Sequence, residues 1–145
     1  MTDRPTFREL IDQLVARHAD TTLGERWEDA QRVDPELKPR AFWIRETTDL
    51  INAVWLIHDG VFDITWFPTR MMSTMSFLSL SDIVGIEIKQ APGTAAATGV
   101  PVEGDLAVTV TATAQRAGLY WVADASSSDA LRAFTAEVLD AYRTA

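Results

Sequence analysis

Leu50-Ile51-Asn52-Ala53-Val54-Trp55-Leu56-Ile57-His58-Asp59-Gly60-Val61-Phe62-Asp63-Ile64-Thr65-Trp66-Phe67 is the stretch on which the reading of this chain turns. Two runs rich in β-branched and aromatic residues flank Asp59-Gly60. An Asp-Gly pair in that setting is among the strongest hairpin signals, because a type I′ turn needs positive φ at both central positions. A two-residue loop there sets a register with His58 opposite Val61, Ile57 opposite Phe62, Trp55 opposite Ile64 and Ala53 opposite Trp66. Successive strand residues point to opposite faces. One face then carries Ile51, Ala53, Trp55, Ile57, Phe62, Ile64 and Trp66, with nothing polar beyond two indole N–H groups, and reads as core. The reverse face carries Asn52, Val54, Leu56, His58, Val61, Asp63, Thr65 and Phe67. Half of these are apolar, too many for a wetted surface and too few for a second core, so the N-terminal helices or another subunit should cover part of it. Val54, Leu56, His58, Val61, Asp63 and Phe67 are accordingly the expected ligand- or partner-binding residues.

Upstream, Ala41-Phe42-Trp43-Ile44-Arg45 is a short aromatic strand that ends in the polar turn Glu46-Thr47-Thr48-Asp49. Two helices precede it. Thr6 and Glu9 have capping-box spacing, and Phe7, Leu10, Ile11 and Leu14 form a helical stripe. Thr22 and Glu25 repeat the box before Leu23, Trp27, Ala30 and Val33, and Pro35 and Pro39 stop that helix.

Downstream, a strand runs from about Arg70 to Leu78, followed by the turn Ser79-Leu80-Ser81-Asp82. From Ile83 to Lys89 the alternation points Val84, Ile86 and Ile88 inward. Residues 91–104, with two prolines and three glycines, read as a mobile loop. Leu106, Val108 and Val110 alternate with threonines, Leu119 to Ala123 is a last strand, and Ser126-Ser127-Ser128-Asp129 opens a long helix. Its expected buried stripe is Leu131, Phe134, Val138, Leu139 and Tyr142. The order is helix, helix, about seven strands, helix: an α+β chain, with residues 1–38 a helical extension packed on a body of residues 39–145 and one compact domain overall.

Composition bounds the function. The chain has 145 residues, 13 basic and 21 acidic, for a net charge of −8. That charge repels nucleic acid and anionic membrane unless cations cluster. Lys38, Arg40 and Arg45, the nearest thing to a cluster, are flanked by Glu36 and Glu46. No apolar run approaches the roughly 20 residues of a membrane span. There is no cysteine, hence no disulfide, thiolate nucleophile or thiolate metal site. With no apolar run of a signal peptide at the start, these features fit a cytoplasmic protein.

The hairpin Trp55-Leu56-Ile57-His58-Asp59-Gly60-Val61-Phe62 is one of three stretches that share an arrangement. The others are the turn-and-strand Leu80-Ser81-Asp82-Ile83-Val84-Gly85-Ile86 and the ending from Tyr120-Trp121-Val122 through Phe134 to Leu139. In element order and apolar spacing, residues 40–145 resemble the pleckstrin-homology-like superfold. That resemblance implies a bent antiparallel barrel of seven strands with the C-terminal helix plugging one end. Members bind phosphoinositides or peptides. The lipid-binding ones use Lys and Arg at the first hairpin, where this chain has Glu46-Thr47-Thr48-Asp49 beside a single Arg45, which argues against phosphoinositide binding.

Candidate chemistry is sparse. His58 and Asp63 share the reverse face and form the one conceivable acid–base pair, but no nucleophile elbow or oxyanion loop accompanies them. A surface histidine beside a tight turn explains His58 as well. His18 ends the first helix, where a cation is favoured. Glu25, Glu28 and Asp29 lie among Arg26 and Arg32 without a histidine at ligand spacing, so no metal site is expected, and no glycine motif for a nucleotide cofactor is present. Trp43, Trp55, Trp66 and Trp121 with Met71, Met72 and Met75 could line an apolar pocket, though most are needed as core. The expectation is therefore a non-enzymatic interaction module without cofactor, binding a protein partner or a second copy of itself. The alternative is a small-molecule binder or enzyme with an aromatic pocket. An acidic secretion-type chaperone shares charge and size, but its helix between strands has no match here.

Overall fold

The elements follow the sequence periodicities closely. In the computed structural model, which describes residues 5–19, 21–90, 106–113, 118–124 and 127–144, helices α1 (Phe7–Arg17) and α2 (Leu23–Val33) precede strands β1 (Ala41–Glu46), β2 (Ile51–Ile57), β3 (Gly60–Phe67), β4 (Met72–Ser79), β5 (Ile83–Gln90), β6 (Leu106–Ala112) and β7 (Leu119–Ala123). Helix α3 (Ser128–Thr144) follows. The protein is thus α+β, with three α-helices and seven strands among the described residues. The strands form a four-stranded sheet in the order β1-β2-β3-β4 and a three-stranded sheet in the order β5-β6-β7. The loop expected at residues 91–104 lies outside the described residues. None of the described helices is long and apolar enough to cross a membrane.

Two compact units result: Met1–Ile57 with Phe62–Phe77, and His58–Val61 with Leu78–Ala145. In the first, α1 and α2 lie on the hairpin face predicted as core. Phe7, Ile11, Leu14, Leu23, Trp27 and Ala30 share one buried cluster with Ile51, Ala53, Trp55, Phe62, Ile64 and Trp66. The helices therefore cover this face rather than the reverse one, because their own apolar stripes match its unbroken apolar surface. The Thr6 hydroxyl caps α1 through the Glu9 N–H at 3.1 Å, as its spacing predicts. Thr22 makes no such cap; its hydroxyl meets Ser73 Oγ of β4 at 2.8 Å instead, so a tertiary contact displaces the local one. Leu10 is half-buried and Val33, in the last turn of α2, is exposed. The link after α2 places Leu37 at φ 47°, a left-handed conformation a branched residue resists, while its side chain lies in the same buried cluster.

The hairpin differs from expectation in its turn. β2 ends at Ile57 and β3 begins at Gly60, so His58 and Asp59 connect them, and neither has positive φ. The type I′ turn is not formed. Trp55 stacks on Phe62 with ring centroids 5.0 Å apart, and Asn52 reaches Thr65, marking a register two residues away from the one expected. A slip of two leaves every side chain on its original face, whereas a slip of one would invert the sheet.

In the second unit β6 is central. Ile86 faces Val110, and Ile88 faces Val108; Val108 in turn faces Trp121. Helix α3 packs on β6, setting Phe134 edge-on against Trp121 at 5.5 Å. Its buried stripe is Leu131, Phe134, Thr135, Val138 and Ala141; Leu139 and Tyr142 are only half-buried. Thr135 tolerates burial by donating its hydroxyl to Leu131 O at 2.8 Å. The inward pointing expected for β5 fails at both ends. A bulge between Ile83 and Gly85 throws Val84 outward, and Ile88 is 40% exposed although it shares a row with fully buried Val108.

Candidate functional site

The six residues expected to bind a partner separate into three environments. Val54, Leu56 and Val61 are completely buried. Asp63 is only 5% exposed. His58 points its side chain into solvent, 90% exposed, with Asp59 as its ionic neighbour at 3.8 Å. Phe67 is half-buried, with the Arg70 guanidinium 5.5 Å above its ring.

Asp63 belongs to a cluster built by strand alternation. Asn52 on β2 shares a face with Asp63 and Thr65 on β3. Its Nδ2 donates to Asp63 Oδ1 at 3.0 Å, to Thr65 Oγ1 at 3.1 Å and to Ile64 O at 3.0 Å. The Thr65 hydroxyl donates to the same carboxylate oxygen at 2.7 Å. Arg45 lies directly opposite Asn52 on β1, and Trp43 opposite Val54, so both occupy this face. The Trp43 indole N–H is buried without an acceptor. A buried carboxylate is tolerated only when donors converge on it, and here they bind β2 to β3 in one register. This is the chemistry of positioning. His58, exposed beside Asp59, is not among the donors that hold the carboxylate. Asn52 and Thr65 were missed as site residues, although the signal existed: with His58 set aside at the turn, the polar residues 52, 63 and 65 share one face of the two strands.

A second cluster secures α1. Arg17 grips Glu46 with two of its guanidinium nitrogens, Nη2 to Oε1 at 2.7 Å and Nε to Oε2 at 3.3 Å. His18 Nε2 reaches Glu46 Oε2 at 2.8 Å, and its ring meets Trp66 edge-on at 4.8 Å. The Arg17 hydrogen bond, and then that of His18, hold the Glu46 carboxyl below its usual value against the opposing effect of burial. A depressed carboxyl contributes stability above its unfolded pKa, and the contribution disappears as pH falls through the lower folded value. Glu46→Gln is thus expected to be less stable than the parent chain near neutral pH, with the difference shrinking as pH falls below the ordinary glutamate range to about pH 3. Because the Arg17 side chain is 53% exposed, the difference at neutral pH should be no more than about 1 kcal/mol. Urea melts of both chains at the two pH values check it.

The remaining candidates form ordinary surface pairs or grooves. Asp29 pairs with Arg26 at 3.1 Å and with Arg32 at 3.5 Å, and Glu25 meets Arg26 at 3.7 Å. Trp55, proposed as a pocket wall, is enclosed by Phe7, Trp27 and Phe62, with its N–H directed at Asp34 Oδ2 (3.4 Å). An open groove of about 360 Å³ lies along β6 and β7, lined chiefly by Thr109, Thr111, Thr113 and Tyr120. Exposed large apolar residues are instead concentrated at sheet margins: Phe42 on β1, Met72 and Phe77 on β4, Val84 and Ile88 on β5, and Tyr120 on β7. No protein-family model, curated protein or solved structure matches this chain.

Proposed function

We propose that this chain is a non-enzymatic cytoplasmic interaction module of pleckstrin-homology-like architecture, and that it takes up extended protein segments along its sheet edges. One observation carries the reading. Of the eight exposed large apolar side chains among the described residues, six lie on the four strands that end a sheet. Edge strands present unpaired N–H and C=O groups, and an added strand gains main-chain hydrogen bonds while neighbouring side chains select its sequence. Ile88 is the best-placed selector, because the apolar row it shares with Val108 is buried there and open at β5. The grouping of four and three strands before a terminal helix supports the architecture. The net charge of −8 favours basic protein segments and disfavours nucleic acid. Phosphoinositides are disfavoured too, since the first hairpin offers Glu46 already engaged by Arg17 and His18.

Selection from a displayed library of random peptides tests this. The expected ligands alternate apolar and polar residues, and Ile88→Lys weakens them by about tenfold or more, the scale of a lost interface anchor, while His58→Ala leaves them unchanged. Equal binding to Ile88→Lys overturns the reading. So does a screen that yields no peptide but finds a small metabolite whose binding is lost in His58→Ala.

A further inference from the structure

We infer that β4 is a self-association edge, through which two copies of this chain pair β4 against β4 in antiparallel fashion to make one continuous eight-stranded sheet. The inference deepens the interaction-module reading by naming the partner for one edge, and rests on it only in taking an exposed edge to be used. Among the described residues β4 is hydrogen-bonded to β3 alone and ends its sheet. Met72, Thr74 and Ser76 are exposed on one face of the strand; on the other, Ser73 meets Thr22 and Met75 packs on the core while Phe77 remains 42% exposed. The other margins carry charges or irregularities that disfavour pairing with an identical acidic copy. β1 has Arg45 and Glu46, β5 has Glu87, Lys89 and its bulge, and β7 is five residues long. From Met71 to Ser81, by contrast, there is no charge, no proline and no glycine.

Charge selects the occupant. Two chains of net charge −8 repel one another, and they can approach at least cost where neither presents a carboxylate. A basic partner drawn by the same net charge finds nothing to pair with on this strand. Arg70 precedes the neutral run and Asp82 follows it. Antiparallel pairing apposes the Arg70 end of one copy to the Asp82 end of the other, while parallel pairing would set like against like. A two-fold axis produces the antiparallel arrangement, with the same patch used by both copies. It would also cover Phe77. That residue ends a row of rings running from Phe42, opposite Trp55, through Trp55 and Phe62 to Phe77, 4.7 Å from Phe62, and it is 42% exposed.

Analytical ultracentrifugation of the full chain over a range of concentrations tests the inference. The parent chain is expected to pass from monomer to dimer as concentration rises. Ser76 lies midway between Arg70 and Asp82, so Ser76→Lys and Ser76→Glu each place like charges opposite one another at the two-fold axis and should raise the dimer dissociation constant by about tenfold or more. An equimolar mixture of the two should restore the dimer, an outcome that damage to the fold would not give. Thr74→Lys with Thr74→Glu provides a weaker version of the same test two residues from the axis. A parent chain that stays monomeric at its solubility limit overturns the inference, as does a dimer indifferent to both charges or single variants whose mixture fails to reassociate. Ile88→Lys should remain dimeric, so loss of peptide binding with dimerisation intact would count against the β5 reading alone.

Discussion

Trp55→Ala is expected to lower the unfolding free energy by about 4 kcal/mol, as large-to-small changes at buried aromatics do. Trp55 is completely buried. Its ring is stacked on Phe62, tilted against Phe7 at 5.1 Å and met edge-on by Trp27 at 6.4 Å, so it joins both N-terminal helices to the middle of the sheet. Removing it empties a space that three rings on different elements cannot all close. Against a typical total of about 5–15 kcal/mol, such a loss leaves a chain near its unfolding threshold. Phe42→Ala, one strand away and 38% exposed, should cost far less. Urea unfolding gives both numbers, and an unchanged slope would show that the fold is otherwise retained. A loss below about 1.5 kcal/mol for Trp55→Ala, the cost of a much smaller core change, would mean that the helices do not cover this face.

Asn52→Leu should be nearly as damaging, at about 3 kcal/mol, for a different reason. It strips a 5% exposed carboxylate of one of its donors, at 3.0 Å, and a buried polar group left short of a hydrogen bond costs about 1–3 kcal/mol, more where the group is charged. The Ile64 carbonyl loses the same donor. Asp63→Leu alone leaves Asn52 and Thr65 without their shared acceptor. Replacing both Asn52 and Asp63 by leucine removes donor and acceptor together, so the double variant should lose at least about 1 kcal/mol less than the sum of the single changes, as contacting residues do. A double-mutant cycle measures that coupling. Strict additivity would show that the cluster does not act as a unit.

These two residues also show how far a sequence can be read. That Trp55 belongs to a core face follows from alternation alone, because neighbouring strand residues must point oppositely. The reading survived a turn made by His58 and Asp59 instead of Asp59 and Gly60, since parity is insensitive to a two-residue slip. The Asn52 cluster was legible only as three polar positions on one face. Its hydrogen bonds depend on which residues of β3 come opposite β2, and the turn sets that. Val84 and Ile88 were misjudged for a related reason. A bulge is specified by the pairing of two strands, and the exposure of an edge by what the neighbouring element fails to reach.

By itself, then, the amino-acid sequence determined the kinds and order of elements: two capped or proline-stopped helices, seven strands and a terminal amphipathic helix. It also determined that the hairpin carries one wholly apolar face, and that the chain as a whole is acidic and free of cysteine. These properties are local or additive, written in periods of two and 3.6 residues and in counts. The tertiary structure alone decided that α1 and α2 cover the Trp55 face, that Glu46 receives both Arg17 and His18, that Asp63 is held by Asn52 and Thr65, and that β4 ends its sheet uncharged and exposed. Each of these joins residues distant along the chain, and such partners are chosen by packing, which no local pattern encodes.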